Sequence, residues 1–252
     1  MQDFLAIFTA PGLDGAAVLA LVVLSGLTSS MTAAFGLGGG ALLISVMSLM
    51  MPAVIVVPVH GAVQLGSNGG RAILRRAYIQ WRFARWFVLG SLFGALAGGG
   101  VAAQLPDNVF KLLIALFLFY SVWSPKPTIE TRGAFVAALA GLFTSAVAMV
   151  VGISGPLVIS FLRSLEDRRE IVGTHAFLMT CQNIFKLVVF MLFGFAFSDY
   201  LGLIIAMVAS GFIGTHLGSL ALDHLPEKAF HLAFRAIITL VALDLVRRAI
   251  FG

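Results

Sequence analysis

The sequence predicts an all-α, polytopic integral membrane protein: an inverted-topology repeat of two five-segment halves, each with a glycine-broken helix hairpin. Three observations predict it. The first is composition: of 252 residues, 60% are hydrophobic and 11% charged, and the mean hydropathy is +1.04. A soluble chain carries about a quarter charged residues. The second is a succession of apolar runs of about 20 residues from end to end. The third is a duplication whose basic loops change sides between the halves. No long polar segment is left for a soluble domain, so residues 1–252 read as a single membrane domain, with a first repeat over 12–125 and a second, inverted repeat over 131–250.

The duplication is visible in three places. GLGGGALLIS (36–45) lines up with GISGPLVIS (152–160). His60, Asn68 and Arg71 line up with His175, Asn183 and Lys186, all at an offset of 115. GALAGGGVAAQLPDNVFK (94–111) lines up with GTHLGSLALDHLPEKAFH (214–231), at an offset of 120. Repeats of half a chain are a common plan of transporters.

Each half reads as five segments. In the first half they fall near 14–35, 41–51, 54–77, 84–105 and 107–124; in the second, near 132–151, 154–163, 171–197, 199–222 and 227–248. The second segment of each half is too short to cross. At about 1.5 Å per residue it reaches roughly half way through a ~30 Å core, so it reads as a half-helix or the return arm of a hairpin.

Orientation follows from the basic loops. Arg75, Arg76, Arg82 and Arg85 put the connection after the third segment on the cytoplasmic side, while its counterpart around Ser198–Asp199 has no basic residue. Conversely, the connection before the third segment is Pro52–Ala53 in the first half, but RSLEDRRE, with Arg163, Arg168 and Arg169, in the second. Five segments per half is odd, so the second half enters upside down. The linker with Lys126 and Arg132 is then cytoplasmic and both termini external; Arg247 and Arg248, near the external C-terminus, run against the rule.

The net charge of +5 therefore reads as membrane orientation, with no nucleic-acid partner. The single cysteine, Cys181, excludes an intrachain disulfide, and no metal-type spacing or cofactor motif is present. Met1–Pro11 lacks a basic n-region and a cleavage signature, so no removable signal peptide is expected.

Polar residues at membrane depth carry the functional signal. His60, Gln64, Asn68 and Arg71 share one face of the third segment; His175, Met179, Asn183 and Lys186 repeat that face, with Gln182 beside it. A cation near the bilayer centre costs about 2.5 kcal/mol or more and normally faces a cavity or a partner. Snorkelling is the alternative, strongest for Arg71 beside Arg75 and Arg76. Carboxylates at matching depth are few: Asp199 and Asp223 lie near ends, and Asp244 is in the last segment. A buried cation without a carboxylate suits an anionic solute. His60 and His175 are candidates for gating or proton coupling, since histidine titrates near neutral pH; a plain inter-helix hydrogen bond is the other reading. Gly90, Gly94 and Gly98, like Gly214 and Gly218, recur every four residues, the spacing that lets membrane helices approach closely.

The glycines at Gly36, Gly38, Gly39 and Gly40 cannot sustain a regular helix. Irregular backbone at membrane depth survives only when buried in protein or lining a cavity. A helix that restarts after such a break offers unsatisfied N–H groups and a partial positive charge, a seat for an anion. Gly38, Gly39 and Gly40 are the candidates in the first half. Ser154 and Gly155 are their counterparts in the second, with Ser154 placed to cap the helix and Pro156 suited to its first turn. Tight hairpin packing is the competing use of the same glycines.

These residues resemble a known family. GLGGGALL after a first helix, its partial copy GISGPLVI, and the downstream RRAYIQWR are similar to the sulfite exporter TauE/SafE family over essentially the whole chain. The resemblance implies a multi-pass inner-membrane carrier of small sulfur-containing anions such as sulfite or organosulfonates. The expected function is thus a secondary exporter of a small anion working by alternating access. Asn68, Arg71, Asn183 and Lys186 would join the glycine seats in binding it, without cofactor or metal. Its partners would be the solute and the lipid bilayer, and a homodimer is a plausible assembly. An anion channel is one alternative. An intramembrane serine protease is another, with Ser154 as nucleophile and His175 or His216 as base.

Overall fold

The computed structural model describes residues 10–35, 38–125, 133–221 and 227–251. Gly36 of the glycine motif, the linker residues Lys126 and Arg132, Asp223 and the segment 1–9 lie outside the described residues. Within them the chain is all-helical, with ten α-helices and no strand.

The first half supplies α1 (Gly15–Phe35), α2 (Gly39–Met50), α3 (Ala53–Leu74), α4 (Trp81–Ala102) and α5 (Asp107–Trp123). The second supplies α6 (Ala134–Val151), α7 (Gly155–Leu162), α8 (Arg168–Leu192), α9 (Leu201–Ala221) and α10 (Glu227–Phe251). Five stretches are long and apolar enough to cross a membrane: 15–33, 81–102, 134–151, 169–192 and 197–218. The short segments are α2 and α7, as the sequence indicates. Single 3₁₀ turns, Arg76–Tyr78 and Phe197–Tyr200, lead into α4 and α9.

Local chemistry sets the ends. Gly38, at φ 101°, lies in the left-handed region that favours glycine and lets the chain turn into α2. Gly152, at φ 85°, ends α6 in the same way. Asp167 caps α8, its carboxylate accepting from Arg169 N at 2.7 Å. Asp107 opens α5 and accepts from Ala53 N at 3.0 Å, so it also satisfies a free N–H at the start of α3.

The helices pack in cross-half pairs: α4 on α6, α9 on α1, α3 on α8, and α5 on α10. Glycine ridges make the first two. A Cβ on Gly90, Gly94 or Gly98 would fall on the α6 carbonyls of Ala138, Leu142 or Ala146, and one on Gly214 or Gly218 would fall on those of Gly26 or Ser30 in α1. The ridges therefore serve packing within one chain. At the centre, α3 and α8 run antiparallel: Gly61 faces Lys186, and Gly173 faces Arg75.

The two ends are tied by specific contacts. At one, Arg169 donates to Tyr78 Oη (3.3 Å) and Gln80 N donates to Thr174 Oγ1 (2.9 Å), so the two basic loops lie together. At the other, Arg248 donates to Leu49 O (3.1 Å), and both Arg247 and Arg248 pair with Asp244. The C-terminal arginines thus have local work to do, which accounts for basic residues on the side that loop charge would leave bare.

Candidate functional site

The helix starts at Gly39 and Gly155 lie deep in the bundle. Gly39 abuts Thr28 and Thr32 of α1, and Gly40 abuts Gln64 and His60 in the interior of α3. The helix α2 therefore begins at mid-depth and runs back to the Met51–Pro52 turn as a return arm. Gly155 sits against His175 Nε2, within the second turn of α8. The three first N–H groups of α2, at Gly39, Gly40 and Ala41, precede the first intrahelical bond, Leu42 N to Gly38 O at 3.0 Å. In α7, Pro156 has no N–H, which leaves that helix start fewer donors.

The two matching polar faces meet across the α3–α8 contact, and each cation comes to lie beside the other half's histidine. Lys186 packs its stem on Gly61, next to His60, and Arg71 lies within electrostatic range of His175. Lys186 is 1% exposed, and its ammonium donates to Gly152 O at 2.7 Å. Arg71 donates through Nε to Ser67 O (3.2 Å) and through Nη2 to Asn68 Oδ1 (2.8 Å). Lys111 pairs with Asp107, and Arg247 and Arg248 pair with Asp244; none of these pairs involves Lys186 or Arg71.

His60 Nε2 lies 3.0 Å from Gly40 O and 3.3 Å from Gln64 Nε2. A proton on that nitrogen makes the first contact a hydrogen bond donated to the carbonyl. Among the described residues, three buried side-chain atoms make no hydrogen bond: His60 Nδ1, His175 Nε2 and Asn183 Nδ2. Buried polar atoms are nearly always bonded, so the Asn183 amide on this seam marks a group free to meet something else, while the two imidazoles lie close to the Gly152 and Gly155 backbone.

Ser154 occupies the cap position of α7 without capping it. Its hydroxyl instead donates to Gln182 Oε1 at 2.6 Å, and Gln182 Nε2 donates to Thr144 Oγ1 (2.9 Å) and Ser91 Oγ (3.2 Å). The cap expectation fails because a buried amide competes for that hydroxyl. The Ser154 hydroxyl is thus bonded to Gln182 rather than to His175.

The sequence did not single out a polar pocket beside the first glycine break. It is lined by Thr28, Thr32, Ser67, Arg71 and Thr215, with Gly39, Gly40 and Gln64 at its inner end, and its cavity of about 10 Å³ admits little more than one water-sized group. Gly39, Gly40, Gln64 and Arg71 of its lining stand out in the sequence; the hydroxyls of Thr28, Thr32, Ser67 and Thr215 do not. A larger cavity of about 620 Å³ lies elsewhere, between the start of α4 and the end of α7, edged by Arg82, Arg85 and Trp86.

No curated protein and no solved structure gives a significant match to the chain. One family model does match, that described as sulfite exporter TauE/SafE, over residues 18–245. A match that runs from α1 into α10 takes in both glycine breaks, both polar faces and every cross-half helix pair. The protein is thus a multi-pass membrane protein that belongs to the sulfite exporter TauE/SafE family of transporters.

Proposed function

We propose that the protein is a secondary transporter of the inner membrane that exports a small anion, sulfite or an organosulfonate, by alternating access. The observation that carries this reading is Lys186: a cation at 1% exposure, held by a backbone carbonyl and by no described carboxylate. An uncompensated positive charge inside the membrane lowers the cost of bringing an anion there. Arg71 repeats the arrangement in the other half, and Asn183, with Nδ2 unpartnered, has a hydrogen bond to give.

The pairing of helices supports an inverted repeat over 12–125 and 131–250. An axis exchanging the halves turns α4–α6 into α9–α1 and maps α3–α8 and α5–α10 onto themselves, and these are the observed pairs. Two halves that pack through glycine ridges and meet along one polar seam can rock against each other about that seam.

The test is flux from proteoliposomes. Sulfite efflux should saturate and accelerate when sulfite is offered on the opposite side, which a channel does not do. Lys186→Ala and Asn183→Ala should lose efflux while staying folded; native flux in both would overturn the site assignment.

A further inference from the structure

We propose that the anion loads at a single seat, the Arg71 pocket of the first repeat, and that the second repeat has no copy of it. The proposal rests on the transport reading above and deepens it.

The chemistry of the lining is one-signed. Arg71, the hydroxyls of Thr28, Thr32, Ser67 and Thr215, and the Gln64 amide can all donate hydrogen bonds, and no acidic residue lines the pocket. Arg71 is pinned by Ser67 O and Asn68 Oδ1, both uncharged, so it is aimed but not neutralised. Thr32 and Ser67 currently donate to Thr28 O (2.9 Å) and Gln64 Oε1 (2.8 Å), and each hydroxyl can rotate toward a ligand. The cavity of about 10 Å³ has room for one oxygen-sized group. It would take one terminal oxygen of a compact oxyanion and leave the rest, including any organic substituent, pointing out.

The second half has lost this lining. Before the glycine break the offset is 116, as the contacts of Gly94 with Leu142 and of Gly214 with Gly26 show. Thr32 therefore becomes Ala148, and Thr28 becomes Thr144, whose hydroxyl is already bonded to Ala140 O and Gln182 Nε2. After the break, at 115, Gln64 becomes Met179, and at 120 Thr215 becomes Ala95. Ser67 becomes Gln182, whose amide is already bonded to Ser154, Thr144 and Ser91. Nor can one small anion span both cations. The Lys186 stem rests on Gly61, ten residues before Arg71, about 15 Å of helix rise away. Arg71, in the last turn of α3 beside Arg75 and Arg76, is the loading end, and Lys186 is a later station.

Thermal unfolding of the purified full-length protein, titrated with sulfite and with methanesulfonate, tests this. Both anions should raise the native unfolding temperature. Dimethyl sulfone, which has S–O oxygens but no charge, should not. Arg71→Gln should abolish the shift. Thr32→Val/Thr215→Val, nearly isosteric, should unfold like the native protein without ligand and need about tenfold more of either anion; it decides the matter should Arg71→Gln fail to fold. A native response matched by these variants would overturn the single seat and leave the transport reading standing. A response to dimethyl sulfone equal to that for sulfite would overturn the anion seat. No native response to either anion would remove the transport reading, and this proposal with it.

Discussion

Lys186 reaches the carbonyl of Gly152 at 2.7 Å, placing a cation on the last turn of α6. The C-terminal end of a helix carries partial negative charge, so the ammonium is stabilised without a carboxylate. Replacing it separates packing from charge. Lys186→Met keeps a stem against Gly61 and removes the charge; removing a buried charge whose partner is neutral should leave stability within about 2 kcal/mol of native. Its flux should be lost, while its thermal response to sulfite persists because the Arg71 pocket is intact. Lys186→Ala also empties the space and should cost a further ~2 kcal/mol or more. Denaturant unfolding in detergent and efflux assays check both.

The glycine ridges make a sharper stability prediction. A Cβ on Gly94 or Gly214 would strike backbone, at Leu142 O or Gly26 O, and backbone cannot step aside. Gly94→Ala and Gly214→Ala should each cost about 1–3 kcal/mol by forcing paired helices apart. A Cβ on Gly69 or Gly100 meets nothing within 4 Å. Gly69→Ala and Gly100→Ala should therefore be neutral, or stabilising by up to about 1 kcal/mol through helix propensity. Unfolding temperatures of the four purified variants test the contrast; equal effects would mean the ridges do not set the α4–α6 and α9–α1 contacts.

Much of this was legible in the sequence, for a physical reason. Apolar length and glycine breaks are local, and α2 and α7 start within two residues of where the sequence put them, at Gly39 and Gly155. Small residues at fixed spacing identified the ridges because close helix approach has few other solutions. The polar centre was only half legible. The partner of Lys186 is a backbone carbonyl, which every residue type carries. The Ser154–Gln182–Thr144–Ser91 network joins α7, α8, α6 and α4, up to 91 residues apart, with no local signature. The hydroxyls of Thr28 and Thr32 line a pocket only because residues of α3 and α9, far along the chain, close over them.

Gln182 is the hub of that network, and it should matter for folding more than for binding. Gln182→Leu leaves the Ser154 hydroxyl, buried at 0% exposure, with only the weak thioether acceptor of Met179 at 3.7 Å. The loss should be about 1–3 kcal/mol, the usual cost of a buried unsatisfied group. Ser154→Ala removes donor and demand together and should cost less. Fluorophosphonate should not label Ser154 in the native protein, since its hydroxyl donates to the Gln182 amide oxygen rather than to a base. Labelling detected by mass spectrometry would revive the hydrolase reading.

Sidedness gives the last prediction. The contacts of Arg169 with Tyr78 and of Thr174 with Gln80 place the loops after α3 and before α8 at one end of the bundle. Ala53 with Asp107 and Leu49 with Arg248 place the α2–α3 turn at the other. Loop charge assigns the first end to the cytoplasm. In a Cys181→Ala background, single cysteines at Arg82 and Ser164 should react with an impermeant maleimide only in inside-out vesicles, and those at Pro52 and Ser198 only in intact cells. Arg82 and Ser164 on opposite sides would contradict the fold itself, because their loops touch. Both pairs exchanged would keep the fold and reverse its orientation, placing Arg71 on the external side. The pocket would then load from outside, and the assignment of Arg71 as the cytoplasmic loading end would fall.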